Sequence, residues 1–114
     1  MPRGVVKMAS TTINFGVSKV IVTYDLSNND ISAQEIANAS NGMFCTSIVM
    51  KNHTKYHLPN TTLETSQIFT AEGAANAFKK AFLGAKHNKP FSRCTISRIF
   101  CCEIAGKRGY IENN

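Results

Sequence analysis

Tryptophan is absent from this 114-residue chain, proline occurs three times, and acids are scarce: seven Asp and Glu stand against 13 Lys and Arg. No apolar run approaches the roughly 18 residues that a membrane-spanning helix needs. The first ten residues, MPRGVVKMAS, carry two cations, but no apolar stretch follows them. Asn14, Gly16, Ser18 and Lys19 interrupt what comes next. That is not the pattern of a secretory signal, and a cytoplasmic protein is the expectation. Met8-Ala9-Ser10 reads as a second translation start. Residues 1–7 are then an extension, and 1–10 are placed outside the folded domain.

The chain is equally short of catalytic signatures. There is no phosphate-binding glycine loop and no dinucleotide fingerprint. Asp25 and Asp30 are separated by a loop, and Glu64 and Glu72 stand alone, so no carboxylate pair is set up for acid–base work. Cys45, His53, His57, Cys94, Cys101 and Cys102 supply enough atoms for a zinc site. None of their spacings matches a structural zinc site: no two cysteines form the tight pair that puts two ligands on one turn, and His53 and His57 flank a turn. Adjacent Cys101 and Cys102 on a strand would point to opposite faces. Cys94 and Cys102 read as core residues and the histidines as surface. Cys101 is the best candidate for a reactive thiol, since nearby cations lower a thiol pKa, but no histidine or glycine-rich elbow accompanies it. The expectation is a non-enzymatic protein with reduced cysteines, no metal and no cofactor.

What is present is an ordinary globular composition, 43% hydrophobic and 9% aromatic, long enough for one domain with its own core. Residues 11–26 alternate as a strand, with a phase change near Gly16–Lys19 that calls for a bulge. Ser32 and Glu35 form a capping-box pattern before a short helix through Ala33, Ile36, Ala37 and Ala39, with Gly42 as its stop. Residues 43–50 read as a strand apolar on both sides, and Tyr56 to Leu58 as a return strand. Thr61–Phe69 is threonine-rich and extended. The clearest helix covers 71–86: Thr70 is its N-cap, and Ala71, Ala74, Ala75, Phe78, Ala81, Phe82 and Ala85 fall on one face. Residues 91–105 form the last strand. Its Cys94, Ile96, Phe100, Cys102 and Ile104 are assigned to the core face with Arg98 intruding. Arg93, Thr95, Ser97, Ile99 and Cys101 are assigned to the outer one.

The order is β-α-β-β-α-β, which predicts an α+β fold of the ferredoxin-like type. In that plan two helices cover one face of an antiparallel sheet. The domain is placed at 11–105, with 106–114 as a basic tail.

Charge is the strongest functional signal. Lys79, Lys80, Lys86, Lys89, Arg93, Arg98, Lys107 and Arg108 face a single acid, Glu103, whereas the cations and acids of residues 1–78 cancel. A cationic third on a neutral domain points to a polyanionic partner. The leading expectation is binding of RNA or single-stranded DNA, with phosphates on Lys79, Lys80, Lys86, Lys89, Arg93, Lys107 and Arg108. The aromatic half of a base-stacking sheet is thin, because the last strand offers no aromatic on its outer face as assigned. The alternative is a small inhibitor or adaptor, of the viral or mobile-element accessory kind. It would bind a protein partner with an acidic surface, and Leu83, exposed between lysines, would be its anchor. A basic face that only keeps the protein soluble is the plain reading of the same charges.

Overall fold

The computed structural model describes residues 18–49, 52–104 and 109–111. Strand β1 (Val20–Leu26) buries Val20, Val22 and Tyr24 on one side and leaves Ile21, Thr23 and Asp25 on the other, the two-residue period of a strand with one packed face. Helix α1 (Ala33–Ala39) starts as its sequence dictates: Ser32 Oγ accepts the Glu35 amide at 3.1 Å, and Glu35 Oε1 accepts the Ser32 amide at 2.9 Å. It stops where Asn41 and Gly42 take the left-handed φ values of 56° and 83°, a conformation that these two residues adopt at the lowest cost. Helix α2 (Ala71–His87) is capped by Thr70 Oγ1, which accepts the Gly73 amide at 3.0 Å. Ala74, Phe78, Ala81, Phe82 and Ala85 are its buried stripe, within the face that the helical periodicity predicts.

The strands depart from the expected order. Residues 43–50 do not make one strand. Thr46 separates β2 (Phe44–Cys45) from β3 (Ser47–Val49), and β3 turns back on β4 (Lys55–His57) as a separate two-stranded sheet. The threonine-rich stretch contains β5 (Thr62–Thr65), and β6 spans Ile96–Glu103. The main sheet runs β2-β5-β1-β6, antiparallel throughout. Four strands, not two, therefore lie between the helices, and the β-α-β-β-α-β order is corrected to this extent. β5 is an interior strand despite having one aliphatic residue. Leu63 is fully buried, and Thr65 is buried because its Oγ1 accepts the Val20 amide at 2.9 Å, which removes the cost of an unpaired hydroxyl.

Both helices pack on the Val20–Val22–Tyr24 side of the sheet. Ile36 and Ala37 of α1 join Leu63, Phe78, Phe82 and Cys94 in one cluster. The helices approach so closely that a Cβ on Gly84 would sit 3.3 Å from the Ala39 Cβ. Phe78 is central: its ring lies 4.6 Å from that of Tyr24 and 6.1 Å, edge-on, from that of Phe44. The Tyr24 hydroxyl is buried without a hydrogen-bond partner, and burial pushes the phenol up to about 12.

The largest correction concerns β6. Between Asp25, opposite Arg98, and Leu26, opposite Ile96, the pairing shifts and leaves Ser97 as an extra residue. This bulge lets Ile96 and Ile99, three residues apart, both pack against the core, and Cys101 follows them. Arg98, Phe100 and Cys102 turn to the opposite face and are exposed. The two sides of the strand are thus the reverse of the expected assignment beyond Ser97. The physical reason is that an uninterrupted alternation would have buried the Arg98 guanidinium, and a bulge avoids that cost. The phase change expected near Gly16–Lys19 falls largely outside the described residues. At their margin, Ser18 bridges Phe69 through two backbone hydrogen bonds of 3.0 and 2.7 Å. Among residues 109–111, the Tyr110 ring stacks 4.7 Å from Tyr56, and its hydroxyl donates to the His57 carbonyl at 2.6 Å. No helix among the described residues is long and apolar enough to cross a membrane.

Candidate functional site

The cationic residues are distributed by α2 and the chain that leaves it. The helix buries its alanine and phenylalanine stripe, so Lys79, Lys80 and Leu83 are exposed on the opposite side. Lys86 lies in the last turn, where a cation suits the helix dipole. Lys79, Lys80, Lys86 and Arg93 make no ion pair among the described residues; Lys79, Lys80 and Arg93 are exposed and Lys86 is half-buried. Lys89 differs. Its ammonium is 3.1 Å from Glu35 Oε2 and also donates to the Asp30 carbonyl, so it ties the end of α2 to the start of α1. The capping amide of Ser32 and this lysine hold the Glu35 carboxyl below its usual range. Lys89 therefore brings little free charge to a ligand. Lys107 and Arg108 lie outside the described residues.

Two concavities flank β6. On the helix side a groove of about 600 Å³ is lined by Lys79, Phe82, Leu83 and Lys86 of α2 and by residues 95–99. Leu83, 64% exposed, forms its lip. On the open face of the sheet a second hollow of about 580 Å³ is lined by Thr23, Asp25, Thr61, Thr62, Arg98 and Phe100, among others. Arg98 and Ile99 belong to both. The Arg98 Nε and Nη2 donate to the same oxygen, Asp25 Oδ2, at 2.7 and 2.6 Å. The helix-side groove is therefore positive, and the sheet-side hollow is close to neutral.

Phe100 is the residue that sequence reasoning missed. Assigned to the core, it is 66% exposed beside this hollow. The available signal was Arg98, which shares its face and could not be buried cheaply. Phe91, 96% exposed, sits in the turn after α2 next to a third hollow that includes Lys89. Tyr56 is half-buried against Tyr110.

The cysteine chemistry is corrected along with the strand phase. Cys101 packs toward the core, and burial pushes its thiol up, opposite to the shift of an activated thiolate. Cys102, expected in the core, is exposed, while Cys94 is fully buried and its thiol donates to the Asn28 carbonyl at 3.3 Å. All four cysteines are free thiols. No group of three or more metal-ligating side chains occurs among the described residues, and His53 and His57 are exposed.

No protein-family model, curated protein or solved structure matches this chain.

Proposed function

We propose that this is a non-enzymatic nucleic-acid-binding protein whose phosphate-contacting surface is the exposed side of α2 and the segment that follows it. The observation that carries the reading is that Lys79 and Lys86 line one groove beside β6 with no acid paired to them, and that Lys80 and Arg93 are exposed and likewise unpaired among the described residues. Unpaired surface cations in a row displace condensed counterions from a phosphate backbone, which gives affinity without sequence preference. Lys107 and Arg108, also expected to contact phosphates, lie outside the described residues and do not enter the expected slope. RNA or single-stranded DNA suits it better than duplex DNA, because α2 buries one face and offers lysines, not base-reading side chains, on the other.

The salt dependence tests this. Each phosphate contact with a single strand contributes a slope of about −0.7 in log K against log salt. Four contacts give about −2.8, an affinity loss of about 50-fold between 50 and 200 mM salt. Lys79→Ala combined with Lys86→Ala should bring the slope to about −1.4 and the loss to about 7-fold. An unchanged slope in the double variant would remove α2 from the interface.

A second reading rests on Leu83 and on β6 as the outermost strand of the main sheet among the described residues. A protein partner with an acidic surface would use the leucine as an anchor and the lysines for orientation, as an inhibitor or adaptor does. Charge reversal at Lys79 and Lys80 separates the two: it weakens all nucleic-acid binding in the first case and one protein partner alone in the second.

We also propose that the architecture is the ferredoxin-like plan with the β3–β4 hairpin inserted. Strands β1, β2, β5 and β6 alone form the main sheet, and both helices cover one of its faces. The free thiols support a reducing, cytoplasmic setting.

A further inference from the structure

We propose that the ligand is a single strand that crosses the β6 edge, with an unpaired base stacked on Phe100 in the sheet-side hollow and its phosphates on Lys79 and Lys86 in the helix-side groove. The proposal rests on the nucleic-acid reading above and adds where the base goes. Three observations carry it. The two concavities share Arg98 and Ile99 in their linings, and β6 is the outermost strand of the main sheet among the described residues, so a single strand passing that edge reaches both the helix side and the open face. Charge separates the two sides. The lysines of the helix side are unpaired, while on the sheet side Asp25 neutralises Arg98, so that side offers no net charge to draw a phosphate. A flat, uncharged group fits there and a phosphate does not.

The third observation is the chemistry around the ring. Phe100 lies directly across from Thr23, and Thr23 directly across from Thr62, so an exposed aromatic and two small hydroxyl side chains form a row across three strands. Neither threonine hydroxyl makes a hydrogen bond among the described residues. Both guanidinium contacts fall on Asp25 Oδ2, which leaves Oδ1 to accept from a base amino or imino group. Asp25 and Phe100 are diagonal neighbours on one face, about 7–8 Å apart, a span that a base resting on the ring can bridge with its edge. A duplex keeps its base faces covered, so this site selects unpaired strands.

The experiment uses the full chain and a fluorescently labelled single-stranded RNA of mixed sequence, read by anisotropy, with Phe100→Ala and Phe100→Tyr beside the wild type. Loss of one stacked base corresponds to roughly 5- to 150-fold in affinity. Phe100→Ala should show a loss in that range with the salt slope unchanged, and Phe100→Tyr should restore binding. A strand made abasic throughout should bind wild type and Phe100→Ala alike. Far-UV circular dichroism of Phe100→Ala should match the wild type and its urea midpoint should fall only slightly, since the ring is largely exposed.

If wild-type protein binds the strand but Phe100→Ala binds it equally well, the base site is refuted and the phosphate surface stands. Equal displacement of the RNA by poly-glutamate and by unlabelled RNA would likewise show a site that reads charge alone. If wild-type protein binds no strand at low salt, the nucleic-acid reading falls and the base site with it.

Discussion

Ile99→Ala and Phe100→Ala, adjacent on β6, should differ sharply in stability, because the bulge at Ser97 sends one side chain inward and the other outward. Full burial makes an Ile→Ala change cost roughly 2–5 kcal/mol. Ile99 packs on the core with part of its surface still in water, which places the loss at about 1.5–3 kcal/mol. Phe100 keeps 66% of its surface exposed, so its removal forfeits about a third of the burial energy of a phenylalanine, less than about 1 kcal/mol. In urea titrations both variants should keep the wild-type m-value, with a clearly lower midpoint for Ile99→Ala only. In thermal melts a chain of this size should lose roughly 3–6 °C per kcal/mol, so Ile99→Ala should melt about 5–15 °C lower. A larger loss for Phe100→Ala than for Ile99→Ala would refute the strand phase. The exposed face of the sheet, and the base site built on it, would fall with that phase.

Phe78→Ala should cost about 3–5 kcal/mol in denaturant titrations, because a fully buried ring that contacts both Tyr24 and Phe44 leaves a cavity on removal. Ser32→Ala should cost about 1 kcal/mol by loss of the α1 cap, whereas Glu35→Gln keeps the capping geometry and loses only the charge beside Lys89. Because the Glu35 carboxyl is held low by the Ser32 amide and then by Lys89, its contribution is fully present above the ordinary carboxylate range. It fades as pH falls through the lowered folded value, and an acid titration of Glu35→Gln should be flatter than that of the wild type. Tyr24 has the opposite sign. Its phenol is raised to about 12, so its contribution is intact below the ordinary tyrosine value near 10 and is lost as pH climbs from there through about 12. Alkaline unfolding of Tyr24→Phe should therefore begin later than that of the wild type.

The helices were legible in the sequence because their signals are local. Ser32 and Glu35 specify the start of α1 within one turn, and Thr70 with the alanine–phenylalanine stripe specifies α2. The strands were less so, because what places them is not local. β5 lies inside the sheet on the strength of Leu63 and of the bond between Thr65 and the Val20 amide 45 residues away, and nothing in Thr62–Thr65 alone announces that. β6 carries apolar residues on both sides, so alternation could not choose its core face. A single inserted residue at Ser97 decided it. The cationic site followed the same division. Lys79, Lys80 and Lys86 fall outside the apolar stripe of α2, and helical periodicity alone puts them there. The use of Lys89 as a tie to Glu35, 54 residues away, and the exposure of Phe100 required the tertiary fold.

The central claim, that the basic side of this protein holds single-stranded nucleic acid, is tested most directly by one anisotropy comparison. Labelled single-stranded RNA, single-stranded DNA and duplex DNA of equal length would be titrated with the full chain at about 50 and about 150 mM salt. The account predicts that a single-stranded probe binds more tightly than the duplex and that this binding, about 20-fold weaker at the higher salt, is still measurable there. Absence of binding, or weak binding to all three that disappears with the modest rise in salt, would contradict it.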